Sequence, residues 1–72
     1  MERPRISLKA ARVNANLSQR EAAQLLGINR ATLHSYEEGR TVPGWDVVKR
    51  IEAVYSMPTD YIFFPSPTLK AN

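Results

Sequence analysis

Residues 18–41 read SQREAAQLLGINRATLHSYEEGRT and carry the clearest structural signals of this 72-residue chain. Ser18 and Glu21 have the spacing of a capping box, in which a hydroxyl and a carboxylate each satisfy a free backbone N–H at a helix start. Gly27 follows two leucines, at a point where an ending helix needs a residue that tolerates the left-handed conformation. The pattern therefore predicts a helix over residues 19–26 and a glycine turn after it.

A second helix is predicted over residues 30–38, with Asn29 as its N-cap and Gly39 as the residue that ends it. Unrolled at about 100° per residue, this helix has a packing face and an outward face. The packing face carries Thr32, Leu33, Tyr36 and Glu37, and the outward face carries Arg30, Ala31, His34, Ser35 and Glu38. The outward groups are of the kinds that read base edges in a major groove. Two such helices are typical of a DNA-reading helix-turn-helix.

A set of residues spread over most of the chain extends this pattern with an ordered spacing. They are Leu8, Arg12, Leu17-Ser18-Gln19, Ala23, Leu26-Gly27-Ile28, Leu33, Tyr36-Glu37, Gly39, Pro43 and Asp60-Tyr61-Ile62. On these residues, the chain over 6–63 resembles the Cro and repressor helix-turn-helix family of lambdoid phages and its bacterial relatives, the xenobiotic-response-element-like regulators. Two positions depart from that family, since Ala22 replaces a larger aliphatic residue and Leu25 replaces a polar one. We expect local repacking there.

The resemblance implies that base reading falls to Arg30, Ala31 and Ser35, with His34 beside them. Arg30 can make two hydrogen bonds to guanine, Ala31 can touch a thymine methyl, and Ser35 can donate or accept. The alternative interpretation is a polar face that is only solvated, and for His34 the sequence does not decide between the two. Relatives often carry glutamines at these positions, so the operator sequence does not transfer to this chain.

Phosphate contacts are expected at the edges of the two-helix unit. Gln19 lies in the first turn of its helix, where free N–H groups and the positive end of the dipole favour an anion, and the position matches the family. Further candidates are Asn29, Arg40 and Thr41, with Arg20 as a weaker one. The alternative is capping for Asn29 and solubility for the arginines.

Arg12 and Glu37 are charges whose helical phases point inward, and a buried charge without a partner is expensive. In the resembling family an arginine and a glutamate at these positions form an ion pair. We therefore expect the two side chains to pair and to hold the first helix against the third, without touching DNA.

The predicted fold is all-α, a compact five-helix bundle that contains the helix-turn-helix and has no strand pattern. The expected helices cover residues 7–15, 19–26, 30–38, 45–56 and 59–63. In the fourth, Trp45, Val48, Ile51 and Tyr55 share an apolar stripe and are expected in the core.

Three parts of the chain are expected: a flexible N-terminal arm at residues 1–5, the DNA-binding domain at 6–64 and a mobile C-terminal tail at 65–72. Arg3 and Arg5 in the arm either follow a DNA groove or are simply solvated.

Composition excludes several classes of protein. No apolar run approaches the ~20 residues of a membrane span, and no signal-peptide pattern is present, so a cytoplasmic protein is expected. The absence of cysteine excludes disulfides and thiolate zinc sites, and one histidine makes a metal site unexpected. No catalytic motif and no glycine-rich phosphate-binding motif occurs. We therefore do not expect an enzyme, and we expect no cofactor and no small-molecule ligand. The net charge of +3 favours polyanionic partners.

Phe63 and Phe64 are adjacent in the last predicted helix and cannot both face one core, so one is expected to be available to a partner chain. Relatives dimerise near this helix, which places two recognition helices about one DNA turn apart. We expect a weak homodimer with C2 symmetry on a palindromic operator.

Together these features indicate a sequence-specific DNA-binding transcriptional regulator, in particular a repressor of the Cro-like phage or prophage type. The alternative is an antitoxin or another protein-interaction module with a helix-turn-helix fold, in which an exposed Phe64 and the tail would serve the partner.

Overall fold

The structure is a computed structural model that describes residues 5–64. Its four α-helices are α1 (Leu8–Asn14), α2 (Gln19–Leu26), α3 (Arg30–Glu38) and α4 (Trp45–Tyr55). Two short strands, β1 (Ile6–Ser7) and β2 (Ile62–Phe63), flank them, and a 3₁₀ turn at Thr59–Tyr61 leads into β2. The predicted tail and most of the predicted arm, including Arg3, lie outside the described residues.

The helix-turn-helix follows the sequence prediction residue for residue, because its signals are local. The Glu21 backbone N–H donates to Ser18 Oγ at 3.0 Å, and the Ser18 N–H donates to Glu21 Oε1 at 2.9 Å. This capping box lowers the pKa of Glu21, first through the backbone hydrogen bond from Ser18 and then through its side chain. Gly27 and Gly39 end α2 and α3 in the left-handed conformation, with φ of +75° and +77°. The predicted boundaries of both helices are confirmed.

The prediction of a fifth helix at residues 59–63, and of a fold without strands, is wrong. After Pro58 the chain makes a single 3₁₀ turn, in which the Thr59 N–H donates to the Glu52 carboxylate at 2.9 Å. The backbone then becomes extended, and β2 pairs in parallel with β1, with Ile62 opposite Ile6. A β-branched residue followed by an aromatic one suits this extended conformation. The pairing ties the two ends of the described chain together.

The core lies between the four helices and β2. Its buried side chains are Leu8, Ala11, Ala22, Ala23, Leu26, Leu33, Val47, Ile51, Tyr55 and Ile62. The two alanines give α2 a small buried face, against which α3 and α4 pack. Because each helix contributes to one shared core, α3 is held as part of a rigid unit.

Trp45 was predicted in the core, yet 71% of its surface is exposed. It is the first residue of α4, and helical side chains point towards the N-terminus, so the indole projects past the end of the helix. The Lys49 ammonium lies 6.0 Å from the centre of its ring. Leu25 is likewise exposed, so no repacking buries it, whereas Ala22 is fully buried.

Within residues 5–64, no helix has both the length and the apolar character that crossing a bilayer requires. The same part of the chain holds no cluster of three or more histidine and carboxylate side chains suited to a metal ion.

Candidate nucleic-acid interface

Helix α3 has one face anchored in the core and one face open to solvent. Leu33 is fully buried, and Tyr36 packs against the core. On the other side Arg30, Ala31 and His34 are exposed and Ser35 is half-buried. The predicted division of this helix into two faces is therefore present in the structure.

The four residues predicted to read bases come together with two of the residues predicted to bind phosphate. They line an open concavity of about 450 Å³, formed by Gln19, Arg30, Ala31, His34, Ser35 and Arg40. It joins the first turn of α2, the outward face of α3 and the loop that follows α3. Two guanidinium groups and no carboxylate line it, so its field favours an anion.

The other predicted contacts lie outside this concavity. Asn29 caps α3, since its Oδ1 accepts from the Thr32 backbone N–H at 3.0 Å and from the Thr32 hydroxyl at 3.0 Å. Its side-chain nitrogen is the end that can donate to a phosphate oxygen. Arg20, Thr41 and Glu38 are exposed on the surface around the two helices.

The buried side of α3 carries an ion pair with α1. Glu37 accepts from Arg12 through both carboxylate oxygens, and the Arg12 guanidinium also donates to the Leu17 carbonyl at 3.0 Å. The hydrogen bond to Glu37 raises the pKa of Arg12, against the opposing effect of burial. The side chains of Arg12 and Glu37 are only 10% and 3% exposed. The pair is thus a structural element beneath the outward face of α3.

Gln19 makes contacts that the sequence analysis missed. Its side-chain nitrogen donates to Glu37 Oε1 at 3.0 Å and lies 3.5 Å from His34 Nδ1. The amide nitrogen is therefore engaged within the protein by Glu37, and the backbone N–H groups of the first turn of α2 stay open to a phosphate. The sequence indicated only that Glu37 points inward. It gave no sign that a residue of α2 would contact the same carboxylate.

A second surface lies at the C-terminal side of the domain. Phe63 lies in β2 and Phe64 directly follows it, so neither is in a helix. Phe63 is 53% exposed, whereas Phe64 is half-buried and packs against the core, so the exposed member of the pair is Phe63 and not the Phe64 of the interaction-module alternative. We call the depression beside them the apolar groove. Its volume is about 1070 Å³, and its lining is Val42, Pro43, Trp45, Val48, Ile62, Phe63 and Phe64, with Arg5, Thr59 and Asp60.

Arg5 therefore lies beside the apolar groove and not beside the outward face of α3. Of the two alternatives for the arm, a path along a DNA groove stays a prediction.

Comparisons with known proteins agree with this geometry. A family model described as a helix-turn-helix domain matches residues 6–60. The chain is also 34% identical over 65 residues to the HTH-type transcriptional regulator ImmR of Bacillus subtilis (strain 168). That alignment covers 90% of this chain and 51% of the relative, so the chain spans about half the length of the curated protein it matches. No solved structure matches the chain.

Proposed function

Since this chain belongs to the helix-turn-helix family of the Cro and repressor type, we propose that it is a sequence-specific DNA-binding transcriptional regulator that reads the major groove with α3. The observation that carries the proposal is the concavity on the outward face of α3. The groups proposed to read bases and to bind phosphate come from three segments and line it together, while Leu33 on the opposite face is fully buried. A helix held in this way can enter a major groove without rearrangement.

Within this proposal the residues divide into two roles. Arg30, Ala31, His34 and Ser35 meet base edges, because they project from α3 into the concavity. Phosphates are held around them, by side chains and backbone N–H groups that set the register on the duplex without reading sequence. These contacts come from Gln19, Arg20, Asn29, Arg40 and Thr41.

We propose repression as the outcome, with a site of action in the cytoplasm. A protein that occupies an operator prevents other proteins from occupying it, and this requires no further activity of the bound domain. The relative's name states transcriptional regulation and supports the general role. The Cro-like phage or prophage setting remains part of the proposal.

The apolar groove is proposed as the surface at which a second copy docks. Val42, Trp45 and Phe63 are each more than half exposed, although large apolar side chains at one site normally become covered. The groove begins at Val42, directly after the loop that carries Arg40 and Thr41. Docking here would join two copies next to their DNA-contacting loops, as a palindromic operator requires.

Selection from a random duplex pool, followed by salt titration, tests the function. The expected result is a palindromic consensus whose affinity falls steeply as salt rises, with a slope that reflects several phosphate contacts. An Arg30→Ala, Ser35→Ala double variant, altered only on the outward face, should lose the consensus at the base positions that these two side chains read. Wild-type protein that selects no sequence, or binds without salt dependence, would contradict the proposal.

The apolar groove also favours the second candidate, an antitoxin or another protein-interaction module. In that case the groove would bind a different protein, and the chain would stay monomeric on DNA. Sedimentation with and without the selected duplex separates the two. Two copies per palindromic duplex support the regulator, and a single copy supports the interaction module.

A further inference from the structure

Four side chains form a continuous polar chain from the core to the proposed DNA-reading surface. Arg12 Nε donates to Glu37 Oε2 at 2.7 Å, and Arg12 Nη2 donates to Glu37 Oε1 at 3.2 Å. Gln19 Nε2 donates to the same Oε1 at 3.0 Å and lies 3.5 Å from His34 Nδ1, a long hydrogen bond. These contacts thus link α1, α2 and α3, and the last of the four side chains is the exposed imidazole of His34.

At each contact, the partner on the core side determines which group donates the hydrogen bond. Glu37 is paired with a guanidinium, which has only donors, and a carboxylate in an ion pair can only accept. The Gln19 amide must therefore turn its NH₂ group, and not its oxygen, towards Glu37. A buried group therefore fixes the orientation of the Gln19 amide, since the Glu37 side chain is only 3% exposed.

The same NH₂ group determines what His34 can do. One of its two hydrogens is used by Glu37, which leaves the other for His34 Nδ1, 3.5 Å away. Nδ1 can accept it only when it carries no proton, so the neutral ring must carry its proton on Nε2. Nε2 is then a donor on an exposed residue that lines the concavity.

We infer that Gln19 is a positioning residue that holds His34 in the Nε2–H tautomer, so that His34 reads a hydrogen-bond acceptor on a base edge. Guanine N7 and O6, adenine N7 and thymine O4 are such acceptors in the major groove, whereas cytosine N4 is a donor and is rejected. The inference rests on the proposed DNA-binding function and adds a specificity role for His34. Arg12 and Glu37 act on the His34 tautomer indirectly, because they fix the orientation of the Gln19 amide.

The tautomer can be measured without DNA, because His34 is the only histidine of the chain. Long-range ¹H–¹⁵N spectra at about pH 8, where an ordinary imidazole is neutral, report both ring nitrogens. In wild-type protein we expect one tautomer, with a pyridine-like Nδ1 and a pyrrole-like Nε2. Gln19→Met has similar length and no amide, and it should move both ¹⁵N shifts towards the averaged values of a free ring. Gln24→Met makes the same change at an exposed position of α2 outside the concavity, and as the control it should leave both shifts unchanged. Identical ring shifts in wild-type and Gln19→Met proteins would overturn the inference.

Base preference supplies the second measurement. With selected duplexes altered one position at a time, Gln19→Met should lose about tenfold of the discrimination at a single base pair, and His34→Ala should lose it at the same base pair. Gln24→Met should keep that preference. Loss at different positions, or no loss, would overturn the specificity role. If wild-type protein binds no duplex, the proposed function fails, while the spectra still decide whether Gln19 sets the tautomer. A thermal melt of each variant shows that the domain remains folded.

Discussion

Arg12 and Glu37, separated by 25 positions in the chain, form a two-point ion pair in which Nε meets Oε2 at 2.7 Å and Nη2 meets Oε1 at 3.2 Å. The pair joins α1 to α3 beneath the proposed interface. A forked contact of this kind constrains the angle between the groups as well as their distance. It therefore orients the helix that carries the residues proposed to read DNA.

Removal of one partner should be strongly destabilising. Glu37→Ala leaves the Arg12 guanidinium buried without its counter-charge, and we expect a loss of about 3–5 kcal/mol in the free energy of unfolding. Urea unfolding monitored by circular dichroism measures it. Replacing both residues by methionine should recover much of the loss, since no buried charge is then left unpaired.

The matched control for that prediction is Arg50→Ala. Arg50 forms an exposed pair with Asp46 at 3.8 Å, four positions apart on α4, and its removal should cost at most about 0.5 kcal/mol. Equal effects of Glu37→Ala and Arg50→Ala would show that the buried pair has no special role.

Tyr55 offers a test in the opposite direction. Its side chain is buried, and within residues 5–64 its hydroxyl has no hydrogen-bond partner. Tyr55→Phe should therefore stabilise the domain by about 1 kcal/mol, because a buried polar group without a partner is removed. Chemical denaturation near neutral pH measures this change.

The same variant should alter the response to alkali. Burial, and secondarily the charge of Glu37, raises the pKa of Tyr55 from 10.0 to about 12. With a folded-state pKa above the unfolded value, its contribution to stability is complete below the unfolded pKa and is lost as pH rises towards the folded one. The advantage of Tyr55→Phe over wild type should therefore widen as pH rises from about 10 towards about 12. A constant difference would show that the hydroxyl is solvated.

Arg30 and Arg40 lie on the same concavity and should behave differently on DNA. Arg30→Ala should weaken binding of the selected duplex by ~1–3 kcal/mol and relax the preference at one base position. Arg40→Ala should weaken all sequences about equally and reduce the salt slope by about 1. Fluorescence anisotropy at several salt concentrations distinguishes them, and the reverse assignment would exchange the roles proposed for the two arginines.

Trp45 should matter for assembly more than for folding. Because its indole is largely exposed, Trp45→Ala should cost no more than about 1 kcal/mol, including its contact with Lys49. Ile51→Ala, at a fully buried position of the same helix, should cost about 2–5 kcal/mol. Sedimentation on a palindromic duplex should show fewer paired copies for Trp45→Ala. Equal losses of thermal stability in Trp45→Ala and Ile51→Ala would show that Trp45 contributes to the core as Ile51 does.

The capping box of α2 makes a local prediction. Ser18→Ala removes the hydroxyl that accepts from Glu21 and should cost about 1 kcal/mol in thermal or urea unfolding. The lowered pKa of Glu21 means that its contribution is present above its ordinary value of 4.5 and is lost as pH falls below it. Glu21→Gln has no titrating group and should show a shallower loss of stability in acid. Parallel acid profiles for Glu21→Gln and wild type would contradict this role.

The boundaries of α2 and α3 follow from residues that act over one turn of helix. Ser18 and Glu21 cap each other across three positions, Asn29 accepts from Thr32, and Gly27 and Gly39 adopt positive φ next to the helices they end. Such contacts are complete within a few residues of chain, so their pattern in the sequence suffices. The apolar phase of α3 is equally local, because a helix of known start places each side chain on a known face.

Other features depend on contacts between residues that are far apart in the sequence. Ile62 is extended because Ile6 lies beside it, and Trp45 is exposed because α4 begins at the edge of the core. Gln19 meets Glu37 and His34 only once α2 and α3 have packed. Short segments have little conformational preference of their own, and side-chain hydrogen bonds between helices depend on packing distances that periodicity does not contain. For this reason the helices of the DNA-reading unit were predictable from local chemistry, while the strand pair, the apolar groove and the partner of His34 emerged only from the folded arrangement.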